Sequence, residues 1–127
     1  MIPIEEVEII LDEIAEEFPK EFYKDLNGGI ILLPEKKMHK RSMDDDLYIL
    51  GEYHYDRNLG RFISVYYGSV SQLYGNLSKN DLKVQLKTII KHEFRHHLES
   101  MSGERDLEIE DEQHLAEYIN GKKRHIK

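Results

Sequence analysis

The sequence predicts an α+β fold, with helices packed on a small mixed or antiparallel β-sheet and a long helix crossing behind it. Three observations carry the prediction. Residues 4–18 place apolar side chains at helical spacing. Three apolar, β-rich stretches follow between residues 30 and 68, each bounded by turn residues. Residues 80–100 then hold neither proline nor glycine and again show apolar positions at helical spacing. At 127 residues the chain is read as one domain, 1–127, with a modest core.

Ile4, Val7, Ile10, Leu11, Ile14 and Phe18 form one stripe opposite a Glu/Asp-rich face; Pro3 suits the helix start and Pro19 closes it. The acidic face is solvated surface. Asn27-Gly28-Gly29 marks a turn before the short apolar strand Ile30 to Leu33, which Pro34 ends. The charged run EKKMHKRSMDDD, residues 35–46, lacks periodicity and reads as a surface loop, with His39 solvated in it. Leu47 to Tyr55 is a second strand interrupted by Gly51, where a bulge or a close backbone approach is expected. Asp56 to Gly60 is a hairpin-like turn into a third strand, Arg61 to Gly68, rich in β-branched and aromatic residues. SVSQLYGNL reads as a helical turn or irregular link. Ser78-Lys79-Asn80-Asp81 resembles a capping box, with Asp81 in the usual Glu position. The long helix then runs from about 80 to 100, and a last short helix is expected from Glu110 to Ile119, ahead of Gly121.

Composition narrows the classes. The absence of cysteine excludes disulfides and thiolate metal sites, so any metal must be held by His and carboxylates. A net charge of −7 speaks against general nucleic-acid binding, which wants a basic surface. The basic end KKRHIK, residues 122–127, is read as a solvated terminus. No apolar run is long enough for a membrane span, and the acidic start MIPIEEVEII lacks a secretory pattern, so a cytoplasmic protein is expected.

The chemistry-bearing stretch is HEFRHH, His92 to His97, inside the long helix. Two histidines four apart, His92 and His96, share one helix face and suit two adjacent corners of a tetrahedral metal site. Glu93 stands beside them, placed to act as a general base on water rather than as a ligand. The pattern HExxH is the signature of zinc-dependent peptidases. Apolar Leu82, Leu86, Ile89 and Ile90 run into the Glu93, His96 and His97 side, so the motif is expected at the edge of the buried face. Polar groups there need partners or a metal.

With these pieces in order the chain resembles the zincins, and more narrowly the small prokaryotic family of minimal zincin-like metallopeptidase domains. The resemblance rests on Leu50-Gly51-Glu52-Tyr53, on the strand through Ile63 to Tyr67, and on TIIKHEFRHHLES. It implies a minimal zincin-like α+β domain with Zn2+ as cofactor, His92 and His96 as metal ligands, and Glu93 as the catalytic base of peptide-bond hydrolysis. The related pattern HExxHxxGxxD is not met, because Glu99 and Ser102 stand at its Gly and Asp positions. Aligning IEDEQHL with the family's IDDEEL places Asp111 on the third ligand position. Asp106, Glu110, Glu108 and Glu104 are the alternatives.

His97, about 100° around the helix from His96, is expected to be a second-layer or core-satisfied histidine. His54 and His114 receive no role. Tyr66 or Tyr67 is the candidate oxyanion donor, and Phe62 to Tyr67 the strand expected to align an extended peptide by β-augmentation. The expected partner is a peptide or protein substrate, with neither nucleic acid nor membrane. The competing class is a non-catalytic zinc-binding or interaction module built on the same helix.

Overall fold

The computed structural model of the protein describes residues 1–41 and 47–103. The expected last helix, the basic end and the Asp44 to Asp46 run lie outside these residues. Helix α1 spans Ile4–Glu17 and buries Val7, Ile10, Leu11 and Ile14, the stripe set by its sequence spacing. A single 3-10 turn, Lys20–Tyr23, follows Pro19. The strands are β1 (Gly29–Leu33), β2 (Lys37–Met38), β3 (Tyr48–Ile49), β4 (Gly51–Asp56) and β5 (Gly60–Tyr66). Helices α2 (Tyr67–Tyr74) and α3 (Lys79–Ser102) complete the described chain.

The main sheet has the order β1-β5-β4, with β1 parallel and β4 antiparallel to β5, and β2 pairs with β3 in a separate two-stranded ribbon. The fold is therefore α+β with a small mixed sheet, packed with the N-terminal helix and the helix that carries HEFRHH. Ile63 and Val65 of β5 join α1 residues and Leu82, Leu86, Ile89, Ile90 and Phe94 of α3 in one core. Phe94 is ringed by Phe18, Phe22 and Tyr23 at centroid distances of 5.0, 5.5 and 5.0 Å, which ties the chain after α1 to the motif helix.

Several expectations are refined. The stretch 47–55 is not one strand: the chain changes partner at Leu50, from β2 to β5, and the fully buried Leu50 accepts from the Tyr66 amide at 2.9 Å. The charged loop contains β2, which no periodicity could mark because its position is fixed from outside. The Ser69 hydroxyl bridges the Lys37 backbone, accepting from its N–H at 2.8 Å and donating to its carbonyl at 3.0 Å. The third strand ends at Tyr66 rather than Gly68, since Tyr67 already opens α2. The α3 cap is as read: the Ser78 hydroxyl accepts from the Asp81 amide at 3.2 Å, and Gly103 closes the helix in the left-handed conformation.

One correction bears on function. The strand expected to align a peptide, Phe62 to Tyr67, is the central strand, hydrogen-bonded on both sides by β1 and β4. It has no edge to offer an incoming chain. Among the described residues the strand with a free outer side next to α3 is β4.

Candidate functional site

Strand β4 and helix α3 run side by side in the same direction. A methyl group at Gly51 would lie 2.8 Å from Ile89 Cγ2 and 3.6 Å from Glu93 Cγ, so strand backbone and helix are nearly in contact there. Two strand residues on, the Tyr53 hydroxyl meets His97 Nδ1 at 2.8 Å, and two further on, Tyr55 and Met101 line one cavity of about 310 Å³. Steps of two along the strand match steps of four along the helix, about 6.7 Å against about 6 Å. The close approach expected at Gly51 is thus what sets Glu93 against the edge strand.

The motif itself divides by exposure. Glu93 is 2% exposed and His97 fully buried, whereas His92 and His96 are half-buried. The two half-buried rings stand edge to face, and their Nε2 atoms converge to 3.2 Å. Two imidazole nitrogens on a tetrahedral zinc, each about 2.05 Å from the metal, lie about 3.3 Å apart. The pair therefore has the nitrogen–nitrogen spacing that two ligands of one zinc ion show. Imidazole is also a usual zinc ligand, so the two side chains present fit the metal chemically. Among the described residues, no group of three His, Asp or Glu side chains is placed to hold a metal. Asp111, Asp106, Glu104, Glu108 and Glu110, the candidates for the third ligand, lie outside the described residues, as does His114.

His97 is satisfied by the fold. Its Nε2 donates to the Lys24 carbonyl at 2.8 Å, and its Nδ1 accepts from the Tyr53 hydroxyl. Both ring nitrogens are engaged, so the core-satisfied reading holds. Burial pushes the Tyr53 phenol above its ordinary value, with the Ser100 hydrogen bond and the Arg61 charge pulling the other way. The hydroxyl therefore keeps its proton as a donor. These partners were not legible in the sequence, because Lys24 contributes only its backbone and lies 73 residues away.

The two tyrosines considered as oxyanion donors are both committed elsewhere. Tyr67 donates to the Ile2 carbonyl at 2.7 Å. Tyr66 donates to Glu52 Oε1 at 2.5 Å, on the sheet face away from α3. Gly51 pairs with Val65 and Glu52 with Ser64, so alternation puts Glu52, His54, Ser64 and Tyr66 on the face opposite Glu93.

That opposite face carries a polar cluster the sequence did not announce. Glu52 Oε1 accepts from Lys37 Nζ at 2.6 Å, and His54 Nε2 lies 2.7 Å from Ser64 Oγ while its ring stacks on Phe62 at 4.4 Å. The trio of Ser, His and acid does not make a nucleophilic triad. Glu52 sits 3.9 Å from the same Nε2 that meets the serine, so it does not orient the ring through Nδ1, and Ser64 is only 1% exposed. Burial lowers the His54 pKa, with Glu52 raising and Lys37 lowering it in smaller measure. Burial raises the Glu52 carboxyl, but Lys37 and Tyr66 hydrogen bonds, with the Lys37 and His54 charges, outweigh it and leave the pKa lowered.

No helix of the described residues is long and apolar enough to cross a membrane. No protein-family model and no curated protein matches the chain. A solved structure does: a conserved hypothetical protein from Thermus thermophilus, with a TM-score of 0.69 and 30% sequence identity over 80% of this chain and 98% of that one. Likeness of that extent in both sequence and fold is common descent, and the chain belongs to the same family as that protein.

Proposed function

We propose that the protein is a zinc-dependent metallopeptidase, with His92 and His96 as two ligands, Asp111 as the third and Glu93 as the general base. One observation carries the reading. The Nε2 atoms of His92 and His96 converge to 3.2 Å on the half-buried side of α3, with a buried carboxylate one residue from the first. Zinc held there would supply Lewis acidity, which makes a bound water nucleophilic near neutral pH and polarises a carbonyl. The chain's own residues do the rest. Glu93 takes the proton of the attacking water and returns it to the leaving amine. Strand β4, the edge beside α3 that is unpaired among the described residues, replaces the central strand as the place where an extended peptide adds by main-chain hydrogen bonds.

The test is zinc content followed by one substitution. Purified protein should hold about one zinc per chain, and His92→Ala or His96→Ala should abolish binding. Glu93→Gln keeps the volume and loses the base, so zinc should remain while hydrolysis of any cleaved peptide falls by about 10²–10⁴-fold. Asp111→Ala should instead weaken zinc binding. A wild type that stays metal-free under micromolar zinc sinks the reading, and full activity in Glu93→Gln sinks the mechanism while leaving a non-catalytic zinc module.

A further inference from the structure

Beside the motif runs a chain of directed hydrogen bonds with no part in the chemistry above. A backbone carbonyl only accepts, so the 2.8 Å contact of His97 Nε2 with the Lys24 carbonyl fixes the proton on Nε2. In the neutral ring Nδ1 then carries the lone pair, and the Tyr53 hydroxyl donates to it at 2.8 Å. The Tyr53 oxygen in turn accepts from Arg61 Nη1 at 3.3 Å, and the same nitrogen donates to Ser100 Oγ at 3.0 Å. Arg61 is held by stacking over the Tyr55 ring, 4.1 Å from its centroid. Four segments meet in this relay: the chain after the 3-10 turn, β4, β5 and α3.

We propose that Tyr53 and His97 are positioning residues, whose hydrogen bond, continued to the Lys24 carbonyl, fixes how far α3 is turned about its axis against β4. The inference rests on reading His92, Glu93 and His96 as the metal centre. His97 follows His96 directly, points about 100° away from it and lies one turn beyond Glu93 on the face turned to β4, so it anchors the helix beside the general base and apart from the two ligand rings. A helix turn of about 10° moves an atom about 6 Å from the axis by about 1 Å. His92 and His96 would move together and keep their mutual spacing. What changes is the place of all three groups relative to anything off the helix: the third ligand and a peptide on β4. A misplacement of about 1 Å at a reacting group costs on the order of 10²-fold in rate.

The test compares Tyr53→Phe with Leu86→Ala, a fully buried core residue of the same helix outside the relay. Zinc affinity is measured by chelator competition at a temperature where circular dichroism shows both variants folded. Tyr53→Phe should weaken zinc binding by about tenfold, the lower end for outer-layer partners of a metal site, and Leu86→Ala should leave it unchanged. A second arm needs no metal. Long-range 1H–15N spectra of chelator-treated protein should show His97 protonated on Nε2, and the His92 and His96 ring signals should move in Tyr53→Phe but not in Leu86→Ala. A wild type without zinc affinity would remove the metal reading and leave this second arm to decide the relay. Should Tyr53→Phe not fold, His97→Gln, which keeps a donor towards Lys24 and gives up the ring acceptor, is read in the same way. Tyr53→Phe at wild-type values in both arms, or equal changes in Leu86→Ala, overturns the proposal.

Discussion

Gly51 sets the distance between the edge strand and the motif helix. Any side chain there meets Ile89 Cγ2 at 2.8 Å and the Ser64 carbonyl at 3.2 Å, one a buried methyl group and the other backbone. Gly51→Ala should destabilise the protein by about 1–3 kcal/mol, the usual cost of overpacking a tight core. Pairing it with Ile89→Ala, which removes the obstructing methyl, should cost less than the sum of the single changes, as read from urea midpoints. Strict additivity would show that the strand and helix are not in contact at this point. At this scale the sequence was informative where a residue's own chemistry limits it. A glycine inside a β-rich run announces a bulge or a close approach, and two histidines four apart announce imidazoles that meet on one helix face. The sequence was silent where the partner is backbone or distant: nothing local to His97 pointed to the Lys24 carbonyl or to the Tyr53 hydroxyl.

At the scale of elements, β5 and β4 show why the more legible strand is not the one proposed to take a peptide. High β-branched and aromatic content made the 61–68 stretch the clearest strand in the sequence, and its second half is buried from Ile63 to Tyr66. Burial on both faces and pairing on both sides belong to a central strand, whereas a peptide needs an edge. Strand β4, an outer strand among the described residues, is more polar and more exposed towards its end, which weakens its sequence signal and suits an edge position. An extended peptide bearing a hydroxamate should therefore shift the amide resonances of Gly51–Asp56 and of the His92 to His96 turn. Shifts confined to β1, the other outer strand, would count against this placement. The helices were the easier elements, because the α1 stripe and the Ser78 cap of α3 are local signals that packing did not override.

At the scale of the whole molecule, the face of the sheet away from α3 makes stability depend on pH. The face away from α3 carries Glu52 and His54, and both have lowered folded-state pKa values. A lowered value means that the folded state binds the proton less readily than the unfolded chain does. Stability from each group is therefore complete above its unfolded value and lost as pH falls through the folded one. His54 acts first, below its ordinary value of 6.5, because protonation places a charge in a half-buried ring stacked on Phe62. Glu52 follows below its ordinary value of 4.5, where a proton displaces the hydrogen bonds from Lys37 and Tyr66. Urea midpoints of chelator-treated protein should thus decline in two stages between about pH 7 and about pH 3. Chelation matters, since acid would also release a metal held by His92 and His96. His54→Gln should flatten the upper stage alone and Glu52→Gln the lower. If His54→Gln leaves the decline between about pH 6.5 and about pH 5 unchanged, the ring is not the group that titrates there, and the acid sensitivity belongs to another histidine.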